Sequence, residues 1–450
     1  MENRQLHEEL QMSRSRILTL ETLSRRRCGI YHFAVSLGVL LLCLAARADG
    51  DFQGATHLMP FDEETLNYNK SSPDDAVARL QRAIDTGEAK LQYNSGNGYL
   101  DSVLKKLGIS KSSQTLVFSK TSFQRDRISP RTPRALYFND DVYIGYIPGT
   151  PLMEVSTADP KLGGVFYTLA QKGESAPKFI RTDQCLECHA SARSMGVPGH
   201  VLRSSMTDEW GAPDLSTSIS DVNHRTPIED RWGGWYVTGQ HGAQTHHGNL
   251  VGKAAFDRAE KEPNYLGNIS DLNRFFDVTR YPATKSDIVA LLVLEHQVHM
   301  HNFITRLNYE STIQLARYGH INYATNIANA FLKYLFFVEE APMKSPIGGD
   351  SAFAEEFQNR GPRDKQGRSL RQFDLQTRLF KYPCSYLIYS KSFDAIPLKM
   401  KDYLYRRLWE ILRDKDDSTD FEKISSENKR AMLEIIISTK TDLPTYWSLK

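Results

Sequence analysis

The chain of 450 residues is short of cysteine, with only five. Two of these, Cys28 and Cys43, fall in an N-terminal stretch that reads as a removable leader, so three remain after it. Three thiols cannot build a disulfide framework. No block of one charge sign is present: 56 Lys and Arg stand against 54 Asp and Glu. That balance argues against a nucleic-acid partner. No internal repeat is evident. Nor is there an apolar run of the ~20 residues that a membrane-spanning helix needs.

What is present starts with the leader. Arg25, Arg26 and Arg27 precede an apolar run from Phe33 to Ala46, and Ala46-Arg47-Ala48 offers a small-residue cleavage site before Asp49. A basic region, an apolar region and a small-residue cut predict a secretory signal peptide over 1–48. Met12 is an alternative start, and an uncleaved anchor, the one route to a membrane, is the alternative fate. The expected location is the periplasm or cell envelope. Removing the seven basic and four acidic residues of 1–48 from the totals of 56 and 54 leaves 49 and 50, a near-neutral chain.

Three regions follow. Residues 49–175 predict N-terminal helices and an antiparallel sheet. Ser72-Pro73 reads as a helix start, and Val77, Leu80, Ala83 and Ile84 as its apolar stripe. Period-two runs at 115–118, 135–138, 142–146, 152–155 and 165–169 predict strands. Residues 176–285 are rich in Gly, Asp, Asn and His and read as loop-dominated, with one strand at 234–238. Residues 286–450 predict helices at about 287–309 (capped by Ser286), 312–340, 370–380, 398–414 and 426–439, with 341–369 as a long loop. The fold class expected is α+β, with a small antiparallel sheet before the centre and a helical C-terminal half.

At the centre lies Cys185-Leu186-Glu187-Cys188-His189. Two thiols three positions apart can each form a thioether to one vinyl group of a porphyrin, and the next residue, a histidine, can ligate the iron. The motif therefore predicts one covalent haem c, on Cys185 and Cys188, with His189 as axial ligand. The alternatives are a redox disulfide or half a zinc site, and the latter needs two more ligands. There is no second C-x-x-C-H.

The opposite axial position decides between electron transfer and small-molecule chemistry. His296, on the 287–309 helix with His299 on its face, is the leading candidate for a distal ligand. His241, His246 and His247 lie in a Gly- and Trp-rich stretch from Arg231 to Asn249 that could line a pocket, and His246 and His296 are the candidate acid/base groups of a catalytic site. Met195, His200 and Met206 follow the motif closely. Arg203, and also Arg193, could pair with haem propionates. Cys384 sits in an aromatic run and reads as a small buried side chain.

Several stretches resemble, together, a group of exported bacterial single-haem cytochrome c-like proteins. These are 116–121, 129–141, the haem motif, 231–239, 294–297 and 381–387. The resemblance covers most of 70–447. It implies export and haem, with known roles for Cys185, Cys188 and His189 alone, and no substrate. The expected function is electron transfer with a redox partner protein or a small-molecule donor or acceptor. The alternatives are a haem enzyme, such as a peroxidase or small-molecule oxidoreductase, with an open iron, and a haem-based sensor or structural envelope protein.

Overall fold

The period-two segments pair into one antiparallel sheet. A computed structural model describes residues 57–448 apart from 175, 218 and 264, and the leader expected over 1–48 lies outside the described residues. The strands are β1 (Thr115–Val117), β2 (Arg134–Phe138), β3 (Val142–Tyr146), β4 (Leu152–Asp159), β5 (Gly163–Ala170) and β6 (Phe179–Arg181). They run in order across the sheet, and β9 (Trp235–Tyr236) adds itself beside β1. A separate ribbon joins β7 (Arg203–Ser204) to β8 (Ser220–Asp221). The strand at 179–181 was not foreseen; only three residues pair there.

Alternation sorts the side chains onto two faces. Ala135, Tyr137, Ile144, Met153, Val155, Val165, Tyr167, Leu169 and Phe179 point one way. They pack on α1 (Ala76–Asp85) and α2 (Leu100–Leu107) through Val77, Leu80, Leu100, Val103 and Leu104. Helix α1 starts three residues later than the Ser72-Pro73 signal suggests. Its cap is Asp75, whose carboxylate accepts from the Val77 and Ala78 amides and from the Tyr167 hydroxyl. The cap thus ties helix to sheet, a contact that local sequence does not encode.

Past the sheet come a single turn, α3 (Leu186–His189), and α4 (Lys253–Lys261), the latter a helix in the region expected to be loop. The other face meets the helical half. Its axis is α5 (Ile288–Tyr318), 31 residues long and buried nearly all round. Asp287, not Ser286, caps it by accepting from the Ala290 amide at 2.8 Å. Ser286 instead joins Leu116 and Tyr236 of the sheet. The helix runs past the expected end at 309 and stops at Gly319, where φ is +71°. The expected 312–340 helix is therefore split: α6 (Thr325–Leu335) is its second half.

Two further expectations are corrected. Residues 370–380 are not helical; Phe373 bridges Phe380. The Asp374 carboxylate accepts from the Gln376 and Thr377 amides, a local turn that competes with a helix. Within 341–369 there is α7 (Ser351–Asn359), capped by Asp350 and anchored by buried Phe353 and Phe357. A short α8 (Lys391–Asp394) leads to α9 (Leu398–Leu412) and α10 (Ser426–Thr439), both where expected. The architecture is α+β, with an antiparallel sheet and a helical C-terminal half. No helix among the described residues is long and apolar enough to cross a membrane.

Candidate functional site

The C-x-x-C-H segment forms one helical turn. Cys185 caps α3, and the His189 amide donates back to the Cys185 carbonyl at 2.9 Å. The turn places both thiols and the imidazole side by side. Cys185 and Cys188 are free thiols, the first half-buried and the second exposed. Burial, with the Glu154 charge adding to it, pushes the Cys185 thiol up to about 11.

His189 is oriented from behind. Its Nδ1 lies 2.9 Å from the Gly199 carbonyl oxygen. A carbonyl only accepts, so Nδ1 carries the proton. Nε2 is then the lone-pair nitrogen, and no hydrogen bond engages it among the described residues. Burial pulls the imidazole down to about 4; the bond to Gly199 opposes this, and the charges of Arg134 and Arg203 add to it. The ring is therefore neutral near pH 7, the form that binds metal.

The Gly199 carbonyl is itself gripped. The Gly199 amide donates to the His189 carbonyl, and the Gly164 amide of β5 to the Pro198 carbonyl, both at 2.8 Å. From α5, Asn302 accepts from the His200 amide at 2.9 Å and donates to the His200 carbonyl at 2.7 Å. One turn on, Arg306 donates to the carbonyls of Met195 and His57. Packing is tight: a Cβ on Gly199 would sit 2.2 Å from the Asn302 Oδ1.

Beside the motif the sheet is half open. Leu136, Gly145, Glu154, Thr168 and Ile180 form one cross-strand row. Glu154 and Thr168 are half-buried, and Ile180 is 56% exposed. Arg134 lies flat over Gly145 and pairs with Glu154 at 2.7 Å. Glu154 also receives bonds from Ser122 and Gln124, which hold Phe123 between them at 58% exposure. Exposed apolar groups, two arginines whose charges reach His189, and two free thiols in one turn fit a flat apolar macrocycle bearing carboxylates. Arg203 remains the propionate candidate; Arg134 is already paired with Glu154. Arg193 is paired with Asp221 at 2.9 Å.

The remaining candidates lie in other networks. His296 is fully buried, and both its nitrogens are engaged: Nδ1 with His224 Nδ1 at 2.9 Å and Nε2 with Ser385 Oγ at 2.8 Å. It stacks on Phe337 and Tyr334. A ligand needs a free lone pair, and here both His296 nitrogens are hydrogen-bonded. Ser385, His296 and His224 stand in the order of a nucleophile, a base and an orienting group. Yet Ser385 also caps the turn after it by accepting from Leu387, and Ser385 and His296 are shut off from solvent entirely. The set joins the segment around Ser385 to α5.

His246 packs edge-on against Trp232 and His241, and its Nδ1 accepts from the Gly248 amide at 3.0 Å. Burial lowers it to about 3. Both His241 nitrogens meet backbone carbonyls, those of Gln244 and Gly267. The His200 ring is tilted against Tyr143 and Phe166. His301 bonds to the Asp140 carbonyl. The Cys384 thiol is wholly buried and pushed upward by that burial, as a packing cysteine should be. Among the described residues no group of three or more His, Cys, Asp or Glu could hold a metal ion by itself; a haem iron does not need such a group.

Asn302, Arg306 and His224 were missed by sequence reasoning. For Asn302 and Arg306 the signal was a polar pair four apart on a helix with many other polar residues, which marks a shared face but names no partner. No family model matches the chain, and no curated protein or solved structure is similar to it.

Proposed function

We propose that this chain is an exported c-type cytochrome-like protein that carries one covalent haem and passes single electrons. The observation that carries the reading is the commitment of His189: Nδ1 is bound to the Gly199 carbonyl and Nε2 is left for iron, in the same turn as two free thiols. Metal-ligating histidines are oriented in this way by a partner on the other nitrogen. Covalent haem supplies an iron that cycles between ferrous and ferric states.

The protein's own residues do the rest. Cys185 and Cys188 would hold the haem through thioethers, and His189 would offer Nε2 to its iron. Arg203 would pair with a propionate. Export follows from the leader at 1–48 and agrees with the resemblance to exported single-haem proteins. The partner is a redox protein or a small electron donor or acceptor. His296 is bonded on both nitrogens, whereas His246 is bonded at Nδ1 alone, to the Gly248 amide.

The test is the visible spectrum of protein made with c-haem maturation machinery, taken in denaturant, then folded with dithionite, then with carbon monoxide. A haem band retained in denaturant supports the reading, and its absence overturns it. A reduced spectrum unmoved by carbon monoxide means two strong axial ligands and electron transfer. A shifted one means an open iron, which overturns the electron-carrier part and leaves the haem.

A further inference from the structure

We propose that Asn302 is a positioning residue for His189, acting through the peptide group between Gly199 and His200; the proposal rests on the haem reading above. One peptide unit is bonded at both ends. Its N–H, from His200, donates to Asn302 Oδ1 at 2.9 Å. Its C=O, from Gly199, accepts from His189 Nδ1 at 2.9 Å. Hydrogen bonds in series polarise one another. Drawing on the N–H makes the carbonyl a stronger acceptor, which moves the His189 proton outward and enriches Nε2. A partner on the second nitrogen raises the basicity of a metal-ligating histidine.

Asn302 suits the task because it cannot drift. It is 1% exposed, on the central helix. Its Nδ2 donates to the next carbonyl, that of His200, at 2.7 Å, so the amide plane is fixed from both sides. Gly199 offers no Cβ, which would meet Oδ1 at 2.2 Å. The grip spans 102 residues of chain. It therefore links the setting of the iron ligand to α5 directly. A richer Nε2 favours the ferric state, so Asn302 holds the reduction potential down.

The experiment uses the full haem-bearing chain and measures reduction potential and the iron–histidine stretch. Asn302→Ala should raise the potential and lower the stretch. Asn302→Asp keeps an oxygen facing the His200 amide and should not show that rise. Asn308→Ala is the control: the same helix, bonded instead to the Pro160 and Ala395 carbonyls, with potential and stretch unchanged even where stability falls. Should the alanine variant accumulate poorly, Asn302→Ser gives the same readout. In a haem-free Cys185→Ala/Cys188→Ala chain, Asn302→Ala should speed exchange of the His200 amide. A wild-type chain without covalent haem overturns the haem reading and this tuning role together. Haem in place, with Asn302→Ala and wild type alike in potential and stretch, overturns this inference alone. Equal shifts in Asn302→Ala and Asn308→Ala overturn it too, since that is general loosening.

Discussion

Arg231→Met tests the buried charge beside His296. Glu295 is wholly buried and Arg231 almost so, and the two side chains are in direct contact. The second carboxylate oxygen of Glu295 accepts from Trp232 Nε1 at 3.1 Å. Arg231 further donates to the Thr226 and His224 carbonyls, at 2.7 and 3.1 Å. Methionine matches the length but leaves the carboxylate with one neutral donor. Breaking a buried pair from one side costs about 3–5 kcal/mol, a large part of the ~5–15 kcal/mol that holds a domain folded. Arg231→Met/Glu295→Gln removes both charges and keeps an acceptor for Trp232, so it should recover ~2 kcal/mol or more of that loss.

Urea unfolding at pH 7.5, followed by circular dichroism, measures each form. The deficit of Arg231→Met should also narrow at pH 5.5. Burial already raises the Glu295 carboxyl to about 7, and Arg231 pulls it down. Without Arg231 it rises further above its unfolded value of about 4.3. The folded state then holds a proton that the unfolded state lacks, so the variant gains stability relative to wild type as pH falls. A double variant no more stable than Arg231→Met, or a single variant within ~1 kcal/mol of wild type, refutes the buried-charge argument.

Three other outcomes are expected. Replacing Cys185 and Cys188 with alanine together abolishes haem staining on a denaturing gel, whereas His296→Gln leaves the carbon-monoxide response of the folded haem-bearing chain unchanged; a carbon-monoxide response that appears only in His296→Gln would place His296 at the iron. Gly163→Ala lowers the urea midpoint by the equivalent of ~3 kcal/mol, from left-handed backbone and overpacking: φ is +73°, and the Cβ would lie 2.3 Å from Thr305 Cγ2 and 2.7 Å from the Pro198 carbonyl oxygen. His301, pulled to about 4 by burial against the lesser opposing effect of Asp140, stays neutral when folded while its unfolded form takes a proton near pH 6.5. Its stabilising effect is therefore complete above that pH and lost below it, so wild type loses ~1.3 kcal/mol more than His301→Gln between pH 7.5 and 5.5; parallel pH profiles in urea refute this.

The parts of the molecule legible in the sequence are those with a local cause. Alternation at 115–169 marked the strands, because the pleat repeats every two residues. Helical spacing marked α5, α9 and α10. Cys185, Cys188 and His189 were evident because the proposed covalent haem needs thiols three positions apart and an imidazole next to them. Less legible were elements whose local signals competed, such as α7 among its Gly and Pro neighbours, or 370–380, where the Asp374 turn outbids helical spacing.

The sequence by itself thus determined the Cys185, Cys188 and His189 motif and the two-face pattern of the sheet. Only the tertiary structure decided which buried polar groups meet. It sent His296 to His224 and Ser385, moved the helix caps to Asp75 and Asp287, and brought Asn302 to the peptide that orients His189. The physical reason is that a buried donor or acceptor must find a partner wherever the packed chain supplies one. Such partners lie tens to hundreds of residues away, and no local spacing specifies them.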